Sequence, residues 1–154
     1  MGSILCPTRG GEASHANQDR AIALAKERAE DLIFLYVSDV RFLYRGSGAL
    51  VGSLEDDLDE MGEFLLTMAQ ERAERQGVNA QQAVRRGPFE EAIQDVIKDH
   101  GVTTVVFGTP GEEHRITSEN YLRRLADRLT EELEVEVLRT ENGELVPYTD
   151  IGED

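Results

Sequence analysis

The chain is poor in the residues that staple or punctuate small folds. It has one cysteine, Cys6, so no disulfide can form within it. It has no tryptophan, and aromatic residues make up only 6%. Stability must therefore come from aliphatic packing, for which 154 residues at 40% hydrophobic content suffice as one domain. No run approaches the ~20 apolar residues that cross a bilayer. The opening "MGSILCPT" has neither a basic region nor a long apolar stretch, which argues against a signal peptide. A soluble, cytoplasmic protein is expected. Lysine is scarce too: Lys26 and Lys98 are the only ones, and every other basic residue is arginine. With 31 acidic against 16 basic residues the formal net charge is −15. Such a surface repels nucleic acid and anionic membranes. It fits a halophile's salty cytoplasm, although a GC-rich genome would also favour arginine over lysine.

What is present alternates between two periods. Residues 3–8 form a short apolar run closed by Pro7 and Gly10-Gly11, the pattern of a buried strand and turn. Ser14 is placed to cap a helix in which Ala21, Leu24, Ala25 and Arg28 share a face. Residues 31–37 are almost wholly apolar, as in a parallel strand covered on both sides. Residues 38–53, with Gly46, Gly48 and Gly52, read as a mobile connection. From Leu54 a helix is expected, with Leu58, Met61, Leu65, Met68 and Ala69 as its core stripe and Gly77 as its stop. The run "EDDLDE" (55–60) reads as its acidic first turns, favoured by the helix dipole.

A weaker strand follows at 78–84. Gly87-Pro88 then opens a helix with Phe89, Ala92, Ile93, Val96 and Ile97 inward and Gly101 at its end. Residues 103–108 are strongly β-forming, a helix starts near Ser118, and residues 133–140 alternate as a half-exposed strand does. Asn142-Gly143 is a good hairpin turn, so 144–149 can fold back as an extra edge strand, with a loose tail beyond it. The order implies an α/β fold: an open five-stranded parallel sheet sandwiched by helices, Rossmann-like or flavodoxin-like, with a C-terminal edge hairpin. Residues 1–140 make the domain and 141–154 an extension. Ligands of such sheets bind beyond the carboxyl ends of the strands, where strand order reverses. A reversal beside the first strand would bring "PTRGG" (7–11) and "GTPG" (108–111) together.

The order and spacing of these segments resemble the universal stress protein (UspA-like) family along nearly the whole chain. The carriers are "ILCPTRGGEAS", "LIFLYVSD", "VRRGPFEEAIQDVIKDHG", "TTVVFGTPG" and "ADRLTEELEVEVLR". The resemblance implies a homodimer joined through the last strand and a stress-response role in binding or regulation, without enzymatic activity. Some members of the family bind ATP through Gly-x-x-Gly, nine residues, then Gly-Ser or Gly-Thr; others lack the motif. Here Gly108 and Gly111 match the first pair. Nine residues on stand Tyr121 and Leu122, and alignment back from "ADRL" gives Arg123 and Arg124, so the second pair is missing. The family's ribose-contacting aspartate is Arg9 here.

If the family's site is kept in altered form, its residues are Pro7, Thr8, Arg9, Val37, Gly108 and Gly111, with Arg115 or Arg123 able to assist at a phosphate. The ligand would be ATP or AMP; no cofactor is implied with certainty. A tight strand-to-helix turn accounts for the two glycines without any ligand, and pairing with a nearby carboxylate accounts for Arg9. Those plainer accounts are preferred. The first expectation is thus a dimeric binding or regulatory protein with an incomplete ATP motif, its protein partners unknown. The alternative is a nucleotide-binding member with a rebuilt phosphate site, and a third class is a nucleotide-hydrolysing enzyme.

Little else suggests chemistry. "RGGEAS" (9–14) departs from the Ser-Gly-Gly-x-Asp-Ser loop of ATP pyrophosphatases at its first serine and its aspartate. His15, His100 and His114 lack metal-ligand spacing, Cys6 reads as a packing residue, and no nucleophile stands at a spacing that implies a base.

Overall fold

The computed structural model describes residues 2–8, 12–38, 48–108, 115–141 and 144–147; of these, the side chains of 12–14, 48–55, 115–121 and 141 are not described. The elements run β1 (Ser3–Pro7), α1 (Glu12–Arg28), β2 (Asp31–Ser38), α2 (Gly48–Arg75), β3 (Ala80–Arg86), α3 (Phe89–His100), β4 (Thr104–Phe107), α4 (Arg115–Leu133), β5 (Glu136–Glu141) and β6 (Glu144–Pro147). The strands form one sheet in the order β3-β2-β1-β4-β5-β6. The first five are parallel, and β6 returns antiparallel along β5, with Glu141 opposite Glu144. The hairpin expected at the C-terminus is therefore present; Asn142 and Gly143 themselves lie outside the described residues.

Two apolar cores lie on the two faces of this sheet, because successive strand residues point to opposite sides. Leu5, Ile33, Leu35, Val105, Phe107 and Val137 pack with Ile93, Val96 and Ile97 of α3 and Leu125 and Leu129 of α4. Ile4, Cys6, Phe34, Tyr36, Val106 and Leu138 pack with Ala21 and Ala25 of α1 and Leu66, Ala69 and Ala73 of α2. In β5, Val137 and Leu138 are both buried, one in each core. The strand therefore carries core residues on both faces, where alternation suggested one, while Glu136 at its start is exposed.

Three helix starts differ from expectation. The first helix begins at Glu12, so Ser14 lies inside it and is not its cap. The last helix begins at Arg115, three residues before Ser118. Helix α2 begins at Gly48, six residues before Leu54. Glycine in a helix interior costs about 1 kcal/mol but does not forbid it, and Leu50, Leu54 and Leu58 continue the helical spacing upstream. The acidic run 55–60 therefore sits inside the helix and not in its first turn. Its Asp59 accepts from Ser38 Oγ (2.8 Å) and Arg86 Nε (2.8 Å), and Asp56 accepts from Arg86 (3.0 Å), which ties α2 to the ends of β2 and β3. The stops follow the sequence: Gly77 (φ 81°) ends α2 and Gly101 (φ 65°) caps α3 in the left-handed region that glycine tolerates.

The orientation of α2 is set by small residues. Gly62, Leu66, Ala69 and Ala73 face the sheet, and a Cβ on Gly62 would fall 2.3 Å from the Tyr36 ring. Met61 and Met68, expected in the core, are instead 48% and 43% exposed, and Leu58 and Leu65 are half-buried. Gly62→Ala should cost about 1–3 kcal/mol by overpacking. Thermal unfolding should show it as a Tm lower by roughly 2–4 °C per kcal/mol; an unchanged Tm would mean that Tyr36 does not set the helix position.

At the amino ends of the strands, Arg28 Nη1 donates to Glu136 Oε1 (2.8 Å) and to Thr104 Oγ1 (3.2 Å), joining α1 to β4 and β5. The hydrogen bond from Arg28 holds the Glu136 carboxyl below its ordinary value of 4.5, against a smaller opposing effect of burial. A depressed folded value stabilises the native state above 4.5, and that stabilisation is lost as pH falls through the folded value. Glu136→Gln should therefore be less stable than the parent at pH 7, by at most about 1 kcal/mol because the pair is exposed. The gap in chemical denaturation should close as pH falls below 4.5; a gap independent of pH would remove ionisation from the account.

Candidate functional site

Strand order reverses between β1 and β4. β1 leads on one side to β2 and β3 and on the other to β4 and β5, and the helices that follow β1 and β4 pack on opposite faces of the sheet, the arrangement beside which ligands of such sheets bind. The register pairs Ile4 with Thr104 and Leu5 with Val105; carried forward, it sets Thr8 beside Gly108. The two glycine-containing segments singled out in the sequence therefore start side by side. Arg9 and Gly111 lie outside the described residues, as does His114.

Two adjacent residues of α1 hold these strand ends. Gln18 Nε2 donates to Thr8 Oγ1, and the Thr8 N–H donates to Leu35 O (2.8 Å), so Thr8 is fixed by both α1 and β2. Asn17 Nδ2 donates to Cys6 Sγ (3.6 Å), and its Oδ1 accepts from Thr140 Oγ1 (2.8 Å). Gly108 lies against Asn17: a Cβ there would sit 3.2 Å from Asn17 Cγ. Thr8, Asn17 and Gln18 are all buried. Gln18 Oε1 in turn accepts from Arg72 Nη1 of α2 (2.5 Å), and Arg72 also pairs with Asp19 and reaches His15 O (3.4 Å). A polar relay thus runs from α2 through α1 to the end of β1.

Of the other sequence candidates, Pro7 closes β1 opposite Leu35. Val37 is half-buried near the end of β2 and packs in the α3/α4 core, across the sheet from the α1 residues that hold Thr8. On that side Phe89 and Phe107 meet with ring centroids 6.3 Å apart, closing the carboxyl end of β4 with apolar surface. Cys6 is buried and its thiol is pushed up to about 12, by burial first, with nearby Arg72 opposing. It stays protonated near neutral pH and is no nucleophile. Arg123 is exposed on α4, His15 and His100 are exposed, and no metal-binding group of histidine, cysteine and carboxylate residues occurs among the described residues.

The largest departure from a phosphate site lies in α4. Residues 121–124, where the second glycine and its hydroxyl partner would stand, fall in the helix interior, six to nine residues past its start at Arg115. Interior amides are already bonded to carbonyls of the preceding turn and are not free to cradle phosphate. Leu122 packs against the core, and Leu125 is fully buried.

Sequence reasoning found the strand ends and missed Asn17, Gln18 and Arg72. The signal existed: Asn17-Ala21-Ala25 and Gln18-Ile22 lie on one helical stripe whose other members are apolar. A polar residue on a buried stripe needs a partner, and the strand ends supply it.

These features define a doubly wound α/β domain whose strand order reverses between β1 and β4. The family model described as "Universal stress protein family" matches residues 1–141, and the chain belongs to that family. Among solved structures, one is a universal stress protein family member from Burkholderia pseudomallei (23% identity, 90% of this chain and 95% of that chain, TM-score 0.69). Another is the universal stress protein UspA from Lactobacillus plantarum (19%, 91% and 97%, 0.73). A third, from Arabidopsis thaliana, was solved with AMP bound (12%, 90% and 90%, 0.56). At these identities the likeness concerns the fold. No curated protein matches the sequence.

The relay makes a prediction of its own. Gln18→Leu removes the donor to Thr8 and an acceptor of Arg72, and should destabilise the protein by about 1–3 kcal/mol in urea unfolding. A change under about 0.5 kcal/mol would mean that water replaces Gln18 without penalty.

Proposed function

We propose that this protein is a regulatory binding protein whose site does not grip a triphosphate as the family's ATP-binding members do. The observation that carries this reading is the continuous helix α4, which runs through the positions where the phosphate-cradling glycine and hydroxyl would stand. On this reading the protein acts in the cytoplasm through protein partners.

A second reading is favoured by the site itself. The β1–β4 register carried forward sets Thr8 beside Gly108, Gln18 donates to Thr8, and Gly108 lies against Asn17, which supports a retained site. That end of the sheet suits an adenine nucleoside or its monophosphate, with Arg9 able to meet one phosphate group. The AMP complex of the Arabidopsis protein lends this support. A homodimer joined through the edge of β5 would meet β6 there, because both edges of β5 are paired within the chain.

Calorimetric titration of the full chain with AMP and with ATP tests both readings. AMP is expected to bind no more weakly than ATP, and Thr8→Val and Arg9→Ala to lower its affinity severalfold. ATP binding at least tenfold tighter than AMP would sink the proposal. Binding of neither would leave the partner-binding role and discard the second reading.

A further inference from the structure

Helix α2 distributes its side chains against the ordinary rule of burial. The residues it turns to the sheet include the small Gly62, Ala69 and Ala73, whereas Met61, Phe64 and Met68 face water at 48%, 64% and 43% exposure. Their spacing of three and four residues places them on one stripe about 10 Å long. The helix cannot turn to bury them, because rotation would replace Gly62 with a side chain where the Tyr36 ring leaves no room for a Cβ. Burying a Phe or Met is worth about 1.5–3 kcal/mol each, and this stabilisation is largely forgone. A contiguous exposed stripe of this kind marks a contact surface, and methionines suit one that adapts to its partner.

The rim identifies the partner's chemistry. Asp57 lies one turn before Met61, Glu60 one turn before Phe64, and Glu71 one turn past Met68; all three are exposed. Of the neighbouring cations, Arg72 is turned aside to Gln18 and Asp19, and Arg75 lies beyond the far end of the stripe. A second copy of this face would set carboxylates against carboxylates on chains that each carry −15. An anionic membrane would be repelled in the same way. At about 10 Å the stripe matches the length of two turns of a docked helix.

We propose that the Met61–Phe64–Met68 stripe of α2 docks a cationic amphipathic helix of a protein partner, with aliphatic anchors on the apolar residues and Lys or Arg against Asp57, Glu60 and Glu71. The site lies on solvent-facing α2 and does not depend on whether the ends of β1 and β4 bind a nucleotide.

The probe is a fluorescent 18-residue Leu/Lys peptide with leucines at helical spacing, read by anisotropy on the full chain in 0.15 M KCl, on the order of physiological ionic strength. A control peptide of equal charge has every leucine replaced by alanine. The Leu/Lys peptide is expected to bind at least tenfold tighter than the control and to lose at least tenfold on Phe64→Ser. Glu60→Gln with Glu71→Gln should weaken it severalfold and flatten its salt dependence. Phe64 is exposed, so Phe64→Ser should keep the parent's circular dichroism and Tm; a collapsed fold would itself contradict the exposure on which the proposal rests. Equal binding of the two peptides, or unchanged binding by Phe64→Ser, would reduce the effect to bulk charge and overturn the proposal. So would sedimentation showing a dimer that Phe64→Ser dissociates, which would assign the stripe to a second copy. Binding of zwitterionic vesicles that Phe64→Ser abolishes would assign it to lipid.

Discussion

The structure depends on one constraint: β1 must be paired on both edges and covered on both faces. Leu5 reaches one core and Ile4 and Cys6 the other, and all three are fully buried. A parallel strand so enclosed can be left only through its ends, and its neighbours must be reached by helical crossovers. The reversal of strand order beside β1 follows from this enclosure, and it is beside such reversals that parallel α/β sheets bind ligands. Thr8 and Gly108 are where they are because they follow strands that cannot be elsewhere.

The helices over this sheet have different duties. Helix α3 is simply amphipathic, with Ala92, Ile93, Val96 and Ile97 inward, and it anchors one core. Helix α1 adds polar groups to a buried stripe, and Asn17 and Gln18 join the ends of β1 and β5 into one hydrogen-bonded unit. Helix α2 braces that unit through Arg72 while leaving its largest apolar residues outside. A protein of aliphatic cores and no disulfide can keep such a surface because the sheet beneath it already supplies the burial that folding requires. The dense acidity keeps the exposed stripe from self-association, since like charges on two copies oppose contact.

Much of the fold was legible in the sequence because parallel α/β proteins write their order in local periodicity. The apolar run at 31–37, the stop at Gly77, the entry at Gly87-Pro88 and the return after Asn142-Gly143 each correspond to an element or its end. What was misread concerned boundaries and faces. The start of α2 was hidden by Gly48 and Gly52, which lower helix propensity without preventing a helix. Its facing was hidden because Met61, Leu65 and Met68 fit one apolar stripe as well as Gly62, Leu66, Ala69 and Ala73 fit another. Periodicity finds a stripe but does not say which of two stripes meets the sheet.

The sequence by itself determined the class of fold, the family, and the loss of the second glycine-hydroxyl pair, because each is written in residue order and local spacing. Only the tertiary structure decided that β6 closes the edge of β5, that Asn17 and Gln18 bond the ends of β1 and β5, and that α2 shows methionine and phenylalanine to solvent. The physical reason is distance along the chain. Asn17 meets Thr140 and Arg28 meets Glu136 across more than a hundred residues, and the choice of face on α2 rests on the ring of Tyr36, 26 residues away, pressing where only glycine fits.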